Sequence, residues 1–347
     1  MIKLRYYFLF LLAILFCTAC SSPEDNPDPS PPTQTSEAQK TMQQLWETSP
    51  ITMSIARQSA FVKIQDYADI CPAEYFKKYL SSLDQSCESM EKNDPALTCY
   101  RSAFDRVLEG IKKEQVEEGT VVIWLLYNMG YVVKTPSGCF GVDIYHRWAK
   151  KLEPYLDFLC VTHNHQDHYN TALMQAMFDA NKPVLSNYFR KNTGYAYVAT
   201  KDANYTIGNF SIRTSITDHN NTTEGKNFVT VFRIDCGNNT GNFTLLHVGD
   251  SNYKPEQYTN VQGTVDVSIF RYAPNALTEN NILGTAQGQI QPGYVLLSHI
   301  LELSHEDVAG SRWPIDMALE RASKINCEKT YVPFWGEKLV WKNGKLN

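Results

Sequence analysis

Between residues 40 and 118 apolar side chains return every third or fourth position. The stretches SAFVKIQDYADICPAEYFKKYLSSLDQ (59–85) and ALTCYRSAFDRVLEGIKKEQVEEG (96–119) both show this spacing, which gathers the apolar residues on one face of a helix. Asn93-Asp94-Pro95 between them reads as a loop and a helix start. From residue 120 the texture changes. TVVIWLLYNMGYVVKTPSGCFGVDIY (120–145) is rich in β-branched and aromatic residues and broken by glycine, with TPSG (135–138) as a hairpin turn. YLDFLCVTHNH (155–165), PVLSNYF (183–189), YTIGNFSIRTSITDHNN (205–221), KNFVTVFRIDCG (226–237), NFTLLHVGDSN (242–252), VDVSIFRYAP (265–274), GYVLLSHIL (293–301) and TYVPFWGE (330–337) read as further strands. TALMQAMFDANK (171–182) and PIDMALERASKI (314–325) read as helices between them. Strands dominate and helices fall among them, which predicts an α/β fold with two sheets. No internal repeat is visible.

The first residues stand apart. Lys3 and Arg5 precede an apolar run of 11 residues, YYFLFLLAILF (6–16). A membrane-spanning helix needs about 20 such residues, so the run suits the core of a signal peptide. Ala19 directly before Cys20 resembles a bacterial lipoprotein processing site, although Cys17 stands where leucine is usual. The resemblance implies removal of residues 1–19, a lipid on Cys20, and a place at the bacterial cell envelope, periplasmic or surface-facing. The Pro-, Ser- and acid-rich residues 20–39 have almost nothing apolar to bury and are expected to form a disordered tether. Residues 40–118 then form a helical extension packed on a main domain, residues 119–347. The alternative for the extension is a lid over an active site.

A hydrophobic fraction of 43% and an aromatic fraction of 12% are those of a globular chain with a sizeable core. Loss of Lys3 and Arg5 with the signal moves the formal charge from −5 to −7. An acidic chain without a basic cluster is a poor nucleic-acid binder, so the expected partners are a small-molecule substrate and, through the lipid alone, a membrane. Seven cysteines remain after Cys20. Cys71, Cys87 and Cys99 lie close enough in one helical region for a disulfide between two of them. Cys160 and Cys236 sit in apolar runs and read as buried thiols.

Only eight histidines occur, and three of them fall in VTHNHQDHYN (161–170) beside an acid. Imidazole and carboxylate are ligands of first-row metals. His163 and His165 are two apart, so in extended backbone they point to one side and can grip one ion. Asp167 and His168 follow where the strand turns, and can face a neighbouring ion. Further candidate ligands lie at later strand ends: His219, Asp250 and His299. His299 directly ends its apolar run and is preferred to His305, six residues on, which would lie beside the site or on the surface. His146 and His247 read as structural. Tyr169, next to the cluster, either serves a leaving group or packs.

H-x-H-x-D-H after a strand, then a later His, a Gly-Asp and a last His, resembles the metallo-β-lactamase superfamily over roughly residues 120–337. The resemblance implies a four-layer αββα sandwich with metals at one edge between two sheets. It implies that His163, His165 and His219 bind a first divalent ion, that Asp167, His168 and His299 bind a second, and that Asp250 bridges them. Asp143 would orient the ligand loop by hydrogen bonds. Zinc is the expected metal, with manganese or iron as alternatives. The implied activity is a hydrolase whose metal-bound hydroxide attacks an ester, lactone or phosphodiester, with Asp167 orienting the nucleophile and accepting a proton. The bridging carboxylate points away from antibiotic-degrading lactamases, and the YNMGYVVKT and GVDIY lead-in is nearer the lactonase and phosphodiesterase-like branches, which often carry a histidine near position 128. Other readings are an iron-dependent redox enzyme of the same fold and a non-catalytic metal-containing binding lipoprotein.

Overall fold

A computed structural model describes residues 34–82, 86–187, 196–197, 202–272, 276–306 and 312–347. The expected signal peptide, the lipidation site at Cys20 and most of the tether lie outside the described residues.

Five helices open the described chain: α1 (Gln34–Trp46), α2 (Ile55–Asp69), α3 (Ala73–Ser81), α4 (Ser86–Asn93) and α5 (Pro95–Lys113). Helix α1 starts six residues inside the expected tether. The reason is local: Ala38, Met42 and Leu45 recur on one face and are fully buried. Ser54 caps α2 by accepting from the Arg57 amide, and Asp94 caps α5 by accepting from Leu97, with Pro95 at the first helical position. Helix α5 buries Tyr100, Phe104, Val107 and Ile111 in one apolar cluster with Val122, Trp124 and Leu126. The extension is therefore part of the core rather than a detached lid. None of the described helices is long and apolar enough to cross a membrane.

The strands form two sheets. The first has eight strands: β1 (Thr120–Tyr127), β2 (Gly130–Thr135), β3 (Gly138–Val142), β4 (Phe158–Val161), β5 (Val184–Ser186), β6 (Ala196–Tyr197), and, across β1 from β2, β14 (Lys338–Lys342) and β15 (Lys345–Leu346). The second has seven, in the order β13-β12-β11-β10-β9-β8-β7: β7 (Ala203–Ile207), β8 (Phe210–Thr217), β9 (Val229–Asp235), β10 (Thr244–His247), β11 (Gly263–Arg271), β12 (Ile290–Ser298) and β13 (Thr330–Tyr331). Alternation along β1 shows how the layers arise. Val121, Ile123 and Leu125 face a core shared with Phe210, Ile234 and Leu245 of the second sheet. Val122, Trp124 and Leu126 face the helices. A strand buried on both faces reads as a continuous apolar run. Helices α6 (Thr171–Asp179) and α8 (Ile315–Ala322) complete the outer layers, with a short turn, α7 (Ala276–Glu279), after β11. The fold is the expected α/β sandwich of two sheets between helices, with the N-terminal helices packed on it.

Two sequence expectations are corrected and one element is added. TYVPFWGE is strand only at Thr330–Tyr331; Phe334 and Trp335 leave the sheet to bury against the helices, where the Trp335 carbonyl accepts from Trp46 Nε1 at 2.9 Å. A final hairpin, β14–β15, was not anticipated; Asn343 and Gly344 turn it with positive φ at both. Cys71 and Cys99 are free buried thiols, so no disulfide links the three cysteines of the helical region. Burial pushes the Cys71 thiol up to about 12, with the Asp94 charge adding to it. Cys160 and Cys236 are buried, as their apolar surroundings implied.

Candidate metal centre

In the second sheet β10, β11 and β12 run parallel, and β8 shares their direction because both β8 and β10 pair antiparallel with β9. The candidate ligands follow the carboxyl ends of these strands and of β4: His219 after β8, Asp250 after β10, His299 after β12, and His163 to His168 after β4. Strand carboxyl ends are where sheet-based folds place ligand sites. Two groups result. Donor atoms of His163, His165, His219 and Asp250 lie within 4.8 Å of one another, and so do those of Asp167, His168 and His299. Asp250 stands between them: its Oδ1 is 3.4 Å from His168 Nε2, and its Oδ2 is 3.4 Å from His219 Nε2 and 3.6 Å from His299 Nε2. Asp167 Oδ2 is 3.1 Å from His299 Nε2.

Hydrogen bonds behind the ligands decide which imidazole nitrogen faces the centre. Asp143, just past β3, takes a left-handed backbone (φ 50°) and is fully buried. Its Oδ1 accepts from the Thr162 amide at 2.8 Å and its Oδ2 from the Thr162 hydroxyl at 2.7 Å. That hydroxyl has spent its proton, so it accepts from His163 Nδ1 at 3.0 Å. His168 Nδ1 donates to Asp143 Oδ2 at 2.8 Å. Both rings are thereby left with Nε2 as the free donor. Gly249, directly before Asp250, makes this packing possible: a Cβ there would sit 2.5 Å from Thr162 Oγ1, and its φ is +52°. His299 also takes positive φ (69°), with its amide on the Asn128 carbonyl. Backbone strain of this kind collects at functional sites.

The side chains fit a cation. His163 Nε2, His168 Nε2, His219 Nε2 and Asp250 Oδ1 are buried without a hydrogen-bond partner, a costly arrangement unless something else satisfies them. Burial, helped by the neighbouring His168, holds His163 well below the ordinary imidazole value, which keeps it neutral and able to ligate. His168 is pushed the other way: burial opposes its charge, but the carboxylates of Asp167, Asp250 and Asp143 outweigh burial. Three carboxylates that together outweigh burial mark a pocket with surplus negative charge, which suits a cation. Phe228 walls one side, 5.0 Å ring to ring from His165. A cavity of about 540 Å³ opens over the group, lined by His165, Asp167, His219, Asp250 and His299, and also by Lys77 of α3, Arg271, Ser304, His305 and Trp313.

The structure thus brings His163, His165, Asp167, His168, His219, Asp250 and His299 together and places Asp143 behind two of them. His305 is not with the ligands; it lines the cavity beside Glu302. His146 is stacked against Tyr100 at 3.8 Å, and His247 Nε2 contacts the Met129 carbonyl at 2.9 Å, so both are structural. Tyr169 packs against the core. Three residues were missed by sequence reasoning. Arg271, at the end of β11, donates to Asp250 Oδ2 at 3.2 Å. Asn128 Nδ2 donates to Asp167 Oδ2 at 3.0 Å. Thr162 links Asp143 to His163. Arg271 had a signal, a lone cation closing an apolar strand at the ligand-bearing end; Asn128 and Thr162 had none.

A family model described as a beta-lactamase superfamily domain matches residues 124–302. No curated protein matches the chain. Similar solved structures include Igni18, a metallo hydrolase from the hyperthermophilic archaeon Ignicoccus hospitalis KIN4/I, 15% identical over 64% of this chain and 99% of that one, with a TM-score of 0.46. The metallo-beta-lactamase fold protein YhfI from Bacillus subtilis is 16% identical over 65% of this chain and 100% of its own, with a TM-score of 0.43. CmlA, a diiron beta-hydroxylase from Streptomyces venezuelae, is 16% identical over 66% of this chain and 55% of its own, with a TM-score of 0.42.

Proposed function

Because the chain belongs to the metallo-β-lactamase superfamily, we propose that it is a hydrolase of an ester, lactone or phosphodiester that works with two divalent ions. His163, His165 and His219 would hold one ion, Asp167, His168 and His299 the other, with Asp250 between them. The observation that carries this reading is the gathering of the buried, unpartnered Nε2 atoms of His163, His168 and His219 with Asp250 Oδ1 in two adjoining donor groups, several of whose members line one cavity. Divalent ions bound there supply Lewis acidity and draw the pKa of water toward neutrality. Imidazole and carboxylate donors suit zinc, and also manganese or iron. Asp143 and Thr162 hold the ligand rings; Asn128 holds Asp167, which orients the attacking water and takes its proton. Arg271 braces Asp250 from outside the ligand set. The β1–β3 lead-in and the carboxylate at position 250 favour the lactonase and phosphodiesterase-like branches over antibiotic degradation.

Elemental analysis of the purified mature protein should find up to two equivalents of metal per chain, and a screen of lactones, aryl esters and phosphodiesters should find turnover that a chelator removes. Unchanged turnover after complete metal removal would overturn the reading. The signal-like N-terminus supports a lipid anchor at Cys20 and a cell-envelope location; incorporation of a labelled fatty acid that Cys20→Ala abolishes is the matching test.

A further inference from the structure

Past the end of β12 the chain passes through left-handed backbone twice, at His299 and at Leu301 (φ 52°), and then buries Glu302 completely. A lone buried carboxylate is expensive, and this one is well provided. Its Oε1 accepts from the Tyr127 hydroxyl at 3.2 Å and the Ser304 amide at 3.1 Å, and its Oε2 from the Ser304 hydroxyl at 2.6 Å. Oε2 also lies 2.6 Å from His305 Nδ1. The turn is held rigidly. Buried Arg312 donates from Nε to the His305 carbonyl at 2.6 Å, and from its terminal nitrogens to the Leu303, Ala68 and Cys71 carbonyls. The end of α2 thus fixes the turn that carries His305. His305 lines the same cavity as the candidate ligands, yet it belongs to neither ligand group. His305 Nδ1 is buried close to Glu302 Oε2 without hydrogen-bond alignment, so Nε2 is the nitrogen a substrate in the cavity could meet.

We propose that His305 is the proton donor to the leaving oxygen and that Glu302 is its positioning residue, a role that rests on the hydrolase reading above. As the water oxygen bonds to the carbonyl carbon or phosphorus, the bond to the leaving oxygen breaks and its electron pair stays on that oxygen. The Nε2 proton passes to it, leaving a neutral imidazole that regains a proton from solvent. A carboxylate beside Nδ1 orients such a ring and stabilises its charged form. The groups facing His305 are Glu302 from its own turn, Asp167 after β4 and Lys77 on α3. Glu302 holds the imidazole above its ordinary value, with Asp167 helping and burial and Lys77 opposing.

The leaving group distinguishes this role from a structural one. Wild type, His305→Gln, His305→Asn and Glu302→Gln, at matched metal content, are assayed on p-nitrophenyl and ethyl esters of the same acid and on the two corresponding phosphodiesters. A p-nitrophenolate departs without a proton; an ethoxide does not. Both His305 variants should lose about 100-fold or more in kcat on the ethyl substrates, less than about 5-fold on the p-nitrophenyl ones, and the alkaline limb of the pH–rate profile. KM and metal content should not change. Glu302→Gln should lose about 10-fold on the ethyl substrates and move the alkaline limb to lower pH. Equal losses on both leaving groups, or loss of metal in the His305 variants, overturns the proposal while the hydrolase reading stands. A wild-type protein inactive on every probe overturns the hydrolase reading, and this proposal with it.

Discussion

At the scale of single residues, the site depends on a chain of contacts that starts at a glycine. Gly249 lets the turn after β10 lie against Thr162, Thr162 and Asp143 share two hydrogen bonds, and together they aim His163 and His168. Asp143→Asn should therefore leave the fold intact and weaken the ion at His168 by about 10–100-fold, because outer partners of ligands are worth that much; a metal titration followed by elemental analysis checks it. His165→Ala removes a candidate ligand outright and should abolish binding of the ion at the first group, read in the same titration, and with it turnover in the substrate screen. The candidate ligands were legible because HNHQDH packs four of them into six residues after an apolar run, and because the later ones each close a strand. Thr162 and Asn128 were not legible. A threonine or asparagine carries no chemistry of its own, and only the neighbours that folding supplies give it a role.

Elements are tied together by polar clasps as well as by apolar faces. Arg57 of α2 donates to both carboxylate oxygens of Glu337, the second at 2.7 Å, and to the Val332 carbonyl, with both side chains almost wholly buried. Burial raises the Glu337 carboxyl even with Arg57 beside it. Arg57→Ala would strand that carboxylate, so urea unfolding should show a loss of about 3–5 kcal/mol, whereas Arg57→Met with Glu337→Leu should recover most of it. Single-variant stability equal to wild type would show that water reaches the pair. Helix α2 was readable from its 3.6-residue period, but its clasp was not, since the partners are 280 residues apart. The β14–β15 hairpin is the opposite case: Asn-Gly between KLVWK and KL is a strong local signal that went unread. β13 was overestimated because Phe334 and Trp335 have strand-like composition, and packing on the helices outweighed it.

At the scale of the whole molecule, the helical extension and the sandwich meet at His146. Its ring is stacked between Tyr100 and Phe104 of α5, its Nε2 contacts the Tyr100 carbonyl at 3.2 Å, and its Nδ1 accepts from the Trp148 amide at 3.1 Å. Burial holds it well below its ordinary value, against the pull of the Tyr100 carbonyl. The unfolded chain takes up a proton at this position near pH 6.5 and the folded chain does not. Stability is therefore lost as pH falls below about 6.5, by up to about 1.4 kcal/mol per pH unit for this one group. Urea unfolding at several pH values and matched metal content should show a shallower acid slope in His146→Gln; an identical slope would mean that the folded protein protonates His146. The sequence by itself determined the order of strands and helices and the identity of seven candidate ligands, because hydrophobic period and residue chemistry are local properties. Only the tertiary structure decided that those candidates meet in two groups around Asp250, that Arg271 and Asn128 join them, and that the helical extension is built into the core. Each of these is a distance between residues far apart in the chain, set by how sheets and helices pack, and no local pattern encodes it.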